Sequence, residues 1–272
     1  MGGGLQCHSR GGLVYFTVPS FTATGVAVHA FTARTGGVSP APYDTLNLGF
    51  HVGDDADNVT VNRRRVCRVL GAAPEQLVAG QQVHGDRVVT VDASCAGRGA
   101  FSADDALPGV DALVTAVPGL LLSSYYADCV PLFFLDPVQR VVALAHAGWK
   151  GTVLRIGART VRHMVEQHGC RAADILAAIG PSISPCCYEV DAPVMDRVRE
   201  CLPGQPELAR PAGPGRWMLD LPGANRRILT EAGVRPENIT VCGYCTSCRG
   251  DLFFSYRRQR GRTGRMASLI ML

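Results

Sequence analysis

The sequence predicts a mixed α+β fold: a single α/β domain in which mixed β-sheets are packed by helices. Two observations carry this. Short β-branched runs alternate along the chain with stretches of helical periodicity, and 47% hydrophobic against 18% charged residues over 272 positions can fill a substantial core.

The elements follow in chain order. Residues 1–20 read as an N-terminal extension, poorly ordered at its start, and residues 21–272 as one domain. "GVAVHAFTA" from Gly25 is a strand pattern. "DNVTVNRRRVCRVLG" is a helix with Asp57 or Asn58 as cap and Gly71 as stop. "RVVTVDA" and "DALVTAV" are strands, and "LLLSSYYADCVPLFFLD" is an apolar run broken by the polar pair Asp128-Cys129. "RVVALAH" is a buried strand leading into "GTVLRIGARTVRHMVEQHG", which has the period of one helix. "ILAAIGPSI" and "ITVCGYC" are strands, whereas "APVMDRVRECL" and "LPGANRRILTEAG" are helices. The Pro- and Gly-rich "LPGQPELARPAGPG" between those helices reads as a surface loop.

Composition narrows the classes. A formal charge of +4 is mild, and only the tail "SYRRQRGRTGR" concentrates arginine, so charge fits a small anionic substrate as well as RNA. Eleven cysteines, an odd number without a secreted framework's spacing, and an N-terminus unlike a signal peptide predict a reducing, cytoplasmic setting. The longest apolar region, Ala112 to Ala127, is too short for a bilayer and is interrupted by Pro118, so no membrane partner is expected.

Three residues stand out where strands end. His146 closes "RVVALAH", Cys129 breaks an apolar run, and His84 in "GQQVHGDRVV" precedes a strand. Ligands of open α/β sheets gather at such rims. Imidazole, thiolate and imidazole make a borderline-soft donor set that suits zinc and leaves a fourth position open. Their spacing has no local metal signature, so by itself it leaves three buried core residues as the alternative. The turn "AGWKG" after His146 presents free backbone N–H groups, and Lys150 adds charge to it. It lacks the spacing of a P-loop. Asp128 is a candidate to orient a ligand histidine or transfer a proton, with a turn residue as the alternative. His51 reads as pocket-lining, and Asp54, Asp55 and Asp57 as serving the start of the following helix.

Several long motifs in one order carry a family resemblance. "FTARTGGVSPAPYDTLNLGFHVGDDADNVTVNRRRV", "QQVHGDRV", "DALVT", "ADCVPLFFLDP", "AHAGWKG", "AAIGPSISPCCYEVD" and "DLFFSYRRQRGRTGR" resemble the YfiH-type laccase-domain family, from about Phe31 to Met266. That family was first labelled polyphenol oxidase and is now regarded as zinc-dependent purine nucleoside phosphorylases with adenosine deaminase side activity. The resemblance implies zinc ligands at His84, Cys129 and His146, and family motifs at Arg34 to Gly37 and at Asn47 to Gly49. Arg34, Asn47 and Lys150 are then the candidate substrate and phosphate contacts, with Asp128 the candidate catalytic residue. Purine nucleosides and phosphate are the expected partners, with no nucleic acid. The expected fold is a layered αββα sandwich. The chain departs from the family pattern at Tyr126, Lys150, Ser182 and Ser184. Lysine keeps the charge of the usual arginine but not its bidentate geometry.

Two alternatives accompany this expectation. A multicopper oxidase needs paired H-x-H motifs, and the chain contains none, although copper binds readily at a His/Cys site. A non-catalytic role, such as editing of peptidoglycan precursors, is the other. "CGYCTSC" has the C-x2-C-x2-C spacing of a metal knuckle but no obvious fourth ligand, so Cys242, Cys245 and Cys248 read as structural thiols. Cys186 and Cys187 are adjacent and do not easily ligate one zinc together, so they read as packing or exposed loop residues. The H-x-E with P-C-x-x-C signature of nucleobase deaminases is absent.

Overall fold

The structure, a computed structural model, describes residues 4–272. Numbered in chain order, its strands form three sheets. The first runs β1 (Gln6–Arg10), β2 (Leu13–Thr17), β3 (Val28–Thr32), β15 (Met266–Met271), β7 (Leu121–Tyr126) and β4 (Leu77–Ala79). The second runs β14 (Ile239–Val241), β10 (Leu176–Ile179), β8 (Val130–Asp136), β9 (Val141–Ala147), β6 (Ala112–Thr115) and β5 (Val88–Thr90). A small third sheet holds β11 (Glu189–Asp191), β13 (Arg216–Leu219) and β12 (Ala209–Gly213). The helices are α1 (Pro19–Thr22), α2 (Ala56–Leu70), α3 (Trp149–Val153), α4 (Ile156–His168), α5 (Ala192–Cys201) and α6 (Leu221–Glu231). Both large sheets are mixed, since β4 pairs with β7, β5 with β6 and β10 with β14 in parallel while their other pairs are antiparallel.

The period-2 alternation of strand side chains builds the layers. In β8, Val130, Leu132 and Phe134 face a core shared with α4, α5 and α6, while Phe133 and Leu135 face the first sheet. β9 divides in the same way, with Val142 and Leu144 between the sheets. In β15, Met266 and Ile270 join that inter-sheet core, and Ala267 and Leu269 turn outward onto Val66, Cys67 and Leu70 of α2. Helix, sheet, sheet and helices therefore stack as the expected αββα sandwich. Leu144 lies at 1% exposure between the sheets, so Leu144→Ala is expected to destabilise the fold by about 2–5 kcal/mol. The urea midpoint should fall with an unchanged slope.

Several expectations need correction. Residues 6–17 are no extension: β1 and β2 form a hairpin through Gly11 and Gly12, both at positive φ, and β2 pairs with β3 while Phe16 enters the inter-sheet core. The predicted disorder at the very start concerns residues 1–3, outside the described residues. The run 120–136 is two strands in different sheets, with 127–129 crossing between them. The single helix over 151–169 is α3 and α4, interrupted where Arg155 adopts a left-handed conformation and pairs with Glu231. The cap of α2 is Asp55, whose carboxylate accepts from the Asp57 N–H. Part of the expected surface loop is β12, paired with β13. Among the described residues, no helix is long and apolar enough to cross a membrane.

Candidate functional site

The β8–β9 register sets Val130 opposite Ala147, which brings Cys129, just before β8, beside Gly148, just after β9. His146 lies one residue inside the end of β9. His84 arrives from the other direction, on the loop that leaves β4 in the first sheet and enters β5 in the second. The site thus sits where the chain passes from sheet to sheet. The donor atoms of His84, Cys129 and His146 lie within 4.8 Å of one another. Gly148 permits this approach, because a Cβ there would lie 2.9 Å from both the Cys129 sulfur and His84 Cδ2.

A residue with no assigned role in the sequence reading holds the group together. Asp111, opening β6, is buried, and its Oδ1 lies 2.8 Å from His146 Nδ1. The same carboxylate accepts from the backbone N–H groups of Val83, His84 and Gly85, at 3.1, 3.0 and 2.8 Å. It fixes both the ring of His146 and the loop that carries His84, which itself adopts a left-handed φ of 61°. Asp128, the candidate orienting residue, instead accepts from Thr246 Oγ1 and from the Arg257 N–H. It lines the cavity and braces its wall. The signal for Asp111 was an acidic residue opening an apolar strand in "DALVT".

Electrostatics favour a charged pair. Burial acts to raise the Cys129 thiol, but the charge of His146 and hydrogen bonds from both histidines outweigh it and bring the pKa down to about 6. Burial would lower His146, yet Cys129 and Asp111 push it up to about 9. Asp111 is raised by burial and lowered more by His146 and the backbone N–H groups, so it stays below the ordinary carboxylate range. Sulfur is therefore already thiolate near neutral pH, and with Nδ1 of His146 committed to Asp111, Nε2 is left for the centre of the group. Two imidazoles and a thiolate converging on one point from rigid positions fit a zinc-like ion with an open fourth position.

These residues border a cavity of about 870 Å³, of the size that small-molecule sites have. Phe50, Tyr125, Trp149, Tyr188 and Tyr256 give it aromatic walls, and Lys150, Arg63, Arg257 and Arg265 supply positive charge. Arg63 is buried between the rings of Phe50 and Tyr125, 4.3 Å from each centroid, and donates to the carbonyls of Leu48, Gly99 and Ala100. Arg257 donates to the carbonyls of Cys187 and Glu189. Arg265 keeps donors in hand: among the described residues only Nη1 is engaged, by the carbonyls of Thr263 and Gly264. Among the described residues, neither Arg265 nor Lys150 has a carboxylate partner. His51, also on the wall, is pushed down to about 4 by burial and then by Arg265 and Arg63, so it is neutral.

Arg34 and Asn47 are not on the cavity wall. Arg34 donates to Asp44 and to the carbonyl of Gly250. Asn47 is fully buried, joining Gly49 and Asp54 to the Arg265 N–H. Both brace the loops that carry cavity residues, whereas Arg265, within the arginine-rich tail, lines the cavity itself. The helix behind Lys150 is only five residues long, so its N-terminal field is weaker than one long helix would give. Tyr126 is buried, donating to the Ala145 carbonyl and packing 5.5 Å from the His146 ring, and Ser182 is buried beside Cys245.

Comparison with known proteins gives a consistent set. The family model described as multi-copper polyphenol oxidoreductase laccase matches residues 28–272. The chain is 45% identical over 245 residues to the purine nucleoside phosphorylase YlmD of Geobacillus stearothermophilus, covering 90% of this chain and 89% of that one. It is 36% identical over 247 residues to the adenosine deaminase RL5 of an unknown prokaryotic organism, covering 90% and 94%. The crystal structure of YlmD from Geobacillus stearothermophilus superposes with a TM-score of 0.94 at 43% identity, over 98% of both chains.

Proposed function

The chain belongs to the multi-copper polyphenol oxidoreductase laccase family, and from that premise we propose that it is a zinc-dependent purine nucleoside phosphorylase. It converts adenosine, inosine or methylthioadenosine and phosphate to free purine and the (methylthio)ribose 1-phosphate, with adenosine deamination as a side activity. One observation carries the reading: a three-donor group braced by Asp111 opens onto a cavity that combines aromatic walls with two unpaired cations. The names of the two relatives, one a phosphorylase and one a deaminase, support the two activities. Eleven free cysteines favour a reducing compartment, the cytoplasm.

In phosphorolysis a phosphate oxygen bonds to the anomeric carbon as the glycosidic bond breaks, and its electron pair leaves with the base, which takes up a proton. Arg265 and Lys150 hold the phosphate and offset its charge near the developing oxocarbenium ion. Aromatic walls stack the purine and exclude water. Asp128 is a positioning residue, tying the 246–257 segment to the end of β7. His84, Cys129 and His146 would hold the zinc ion. When bound, it would act as a Lewis acid on the group presented to it. Against the oxidase alternative, one three-donor group borders the cavity among the described residues and paired H-x-H motifs do not occur in the chain.

Purine release from adenosine and inosine is expected to depend on phosphate, followed by chromatographic separation of adenine, hypoxanthine and inosine across a phosphate titration. Lys150→Ala should lower phosphorolysis roughly 10- to 100-fold, the range for one lost charge-assisted hydrogen bond, and deamination much less. Equal losses in both reactions would make Lys150 part of the scaffold. Base release that ignores phosphate would make the enzyme a hydrolase.

A further inference from the structure

We propose that Cys186, Cys187, Cys245 and Cys248 form a second metal site, binding one zinc ion through four sulfurs, separate from the group around His146. The sequence pattern C-x2-C-x2-C misleads here, because the fold divides it. Cys242 is buried at the end of β14, its N–H bonded to the Ile179 carbonyl, and stands outside the cluster. Cys245 and Cys248 instead meet the adjacent pair Cys186-Cys187, some sixty residues earlier.

Topology brings them together. β10 and β14 are parallel neighbours, so the chain leaves both at the same end of the second sheet, and a further parallel bridge joins Ser182 and Cys245 beyond them. Beyond it the chain turns at Ser184, whose carbonyl accepts from the N–H groups of Cys187 and Tyr188. This turn directs two successive cysteines to one place. The four sulfurs lie within 4.8 Å of one another, with Cys186–Cys248 at 3.5 Å and Cys187–Cys248 at 3.4 Å. A tetrahedron with zinc–sulfur bonds of about 2.3 Å has edges of about 3.8 Å, so closing around an ion needs only small shifts. These separations are well beyond the ~2.05 Å of a disulfide, and all four thiols are free. Four sulfurs without a nitrogen or oxygen donor disfavour the oxygen-seeking divalent ions and leave zinc or iron, of which zinc is bound more tightly as the divalent ion.

The four cysteines do not line the cavity themselves, but the site would clasp together two segments that do. The loop after β10 carries Tyr188, while the segment after β14 carries Tyr256 and Arg257. Arg257 already reaches back to the Cys187 carbonyl. An ion joining the two segments would hold these walls at a fixed separation.

Metal analysis of protein purified without added metal is expected to give two equivalents of zinc in wild type and one in Cys245→Ser/Cys248→Ser. Cys129→Ala should retain the second equivalent, and its cobalt-substituted form should show the visible band and thiolate charge transfer of an all-sulfur tetrahedral site. The stoichiometry of the double variant against wild type decides this site whatever becomes of the first. If that variant does not fold, the milder Cys186→Ser must lose the cobalt signature. One equivalent in wild type that survives the double substitution would overturn the proposal. So would iron in place of zinc, or disulfides among the four residues by mass spectrometry after alkylation without reduction.

Discussion

Cys129→Ala is expected to remove the zinc equivalent held beside His146 and to lower both phosphorolysis and deamination by about a thousandfold or more. Two imidazoles without the thiolate leave an incomplete set of donors, and a site that lacks one of three protein ligands loses the charge and geometry on which zinc affinity depends. Folding should suffer little, because the lost group is small and the segment stays anchored by the β8–β9 register. Metal analysis beside circular dichroism and initial rates separates these effects. Zinc content and rates equal to wild type would show that this trio is not the metal site.

Asp111→Ala should produce the largest loss of stability, about 3–5 kcal/mol, since it leaves a buried imidazole and three backbone N–H groups without their acceptor. Asp111→Asn keeps the shape and one acceptor oxygen and should recover part of that stability. It cannot supply the negative charge opposite His146, so zinc affinity should still fall roughly 10- to 100-fold, as at other histidines that lose a carboxylate partner. The metal-free proteins add a pH test. On folding the His146 pKa rises from 6.5 to about 9 while the Cys129 thiol falls from 9.0 to about 6, so what His146 loses as pH climbs between about 6.5 and 9 Cys129 regains, and wild-type stability should be nearly flat across that range. Asp111→Asn removes one of the groups that hold the proton on His146, so its ring should deprotonate earlier and the variant's stability should rise with pH toward 9. Denaturant midpoints for wild type and variant across this range, with an identical slope in both, would remove Asp111 from the account.

Much of this was legible from residues in order. The continuous apolar runs of β8 and β9, the periodic faces of α2, α5 and α6 and the polar interruption at Asp128-Cys129 are local patterns, because a strand buried on both faces and a helix's 3.6-residue period show in the residues themselves whatever surrounds them. The trio of His84, Cys129 and His146 stood out only as polar residues at strand ends, and the family resemblance rather than their spacing made them a set. Residues that act across the fold were harder to read. Arg34 and Arg265 are equally basic on paper, yet one is engaged by Asp44 and Gly250 and the other faces the cavity.

The sequence by itself determined the fold class, the residue types available for metal and phosphate, and the motif order that ties the chain to its family. Only the tertiary structure decided that 120–136 splits between two sheets, that Asp111 rather than Asp128 braces His146, and that Cys186 and Cys187 meet Cys245 and Cys248. Each of these joins residues distant in sequence. Their proximity arises from sheet order, register and strand direction, which follow from burying whole apolar faces against one another, so no short stretch of residues encodes it.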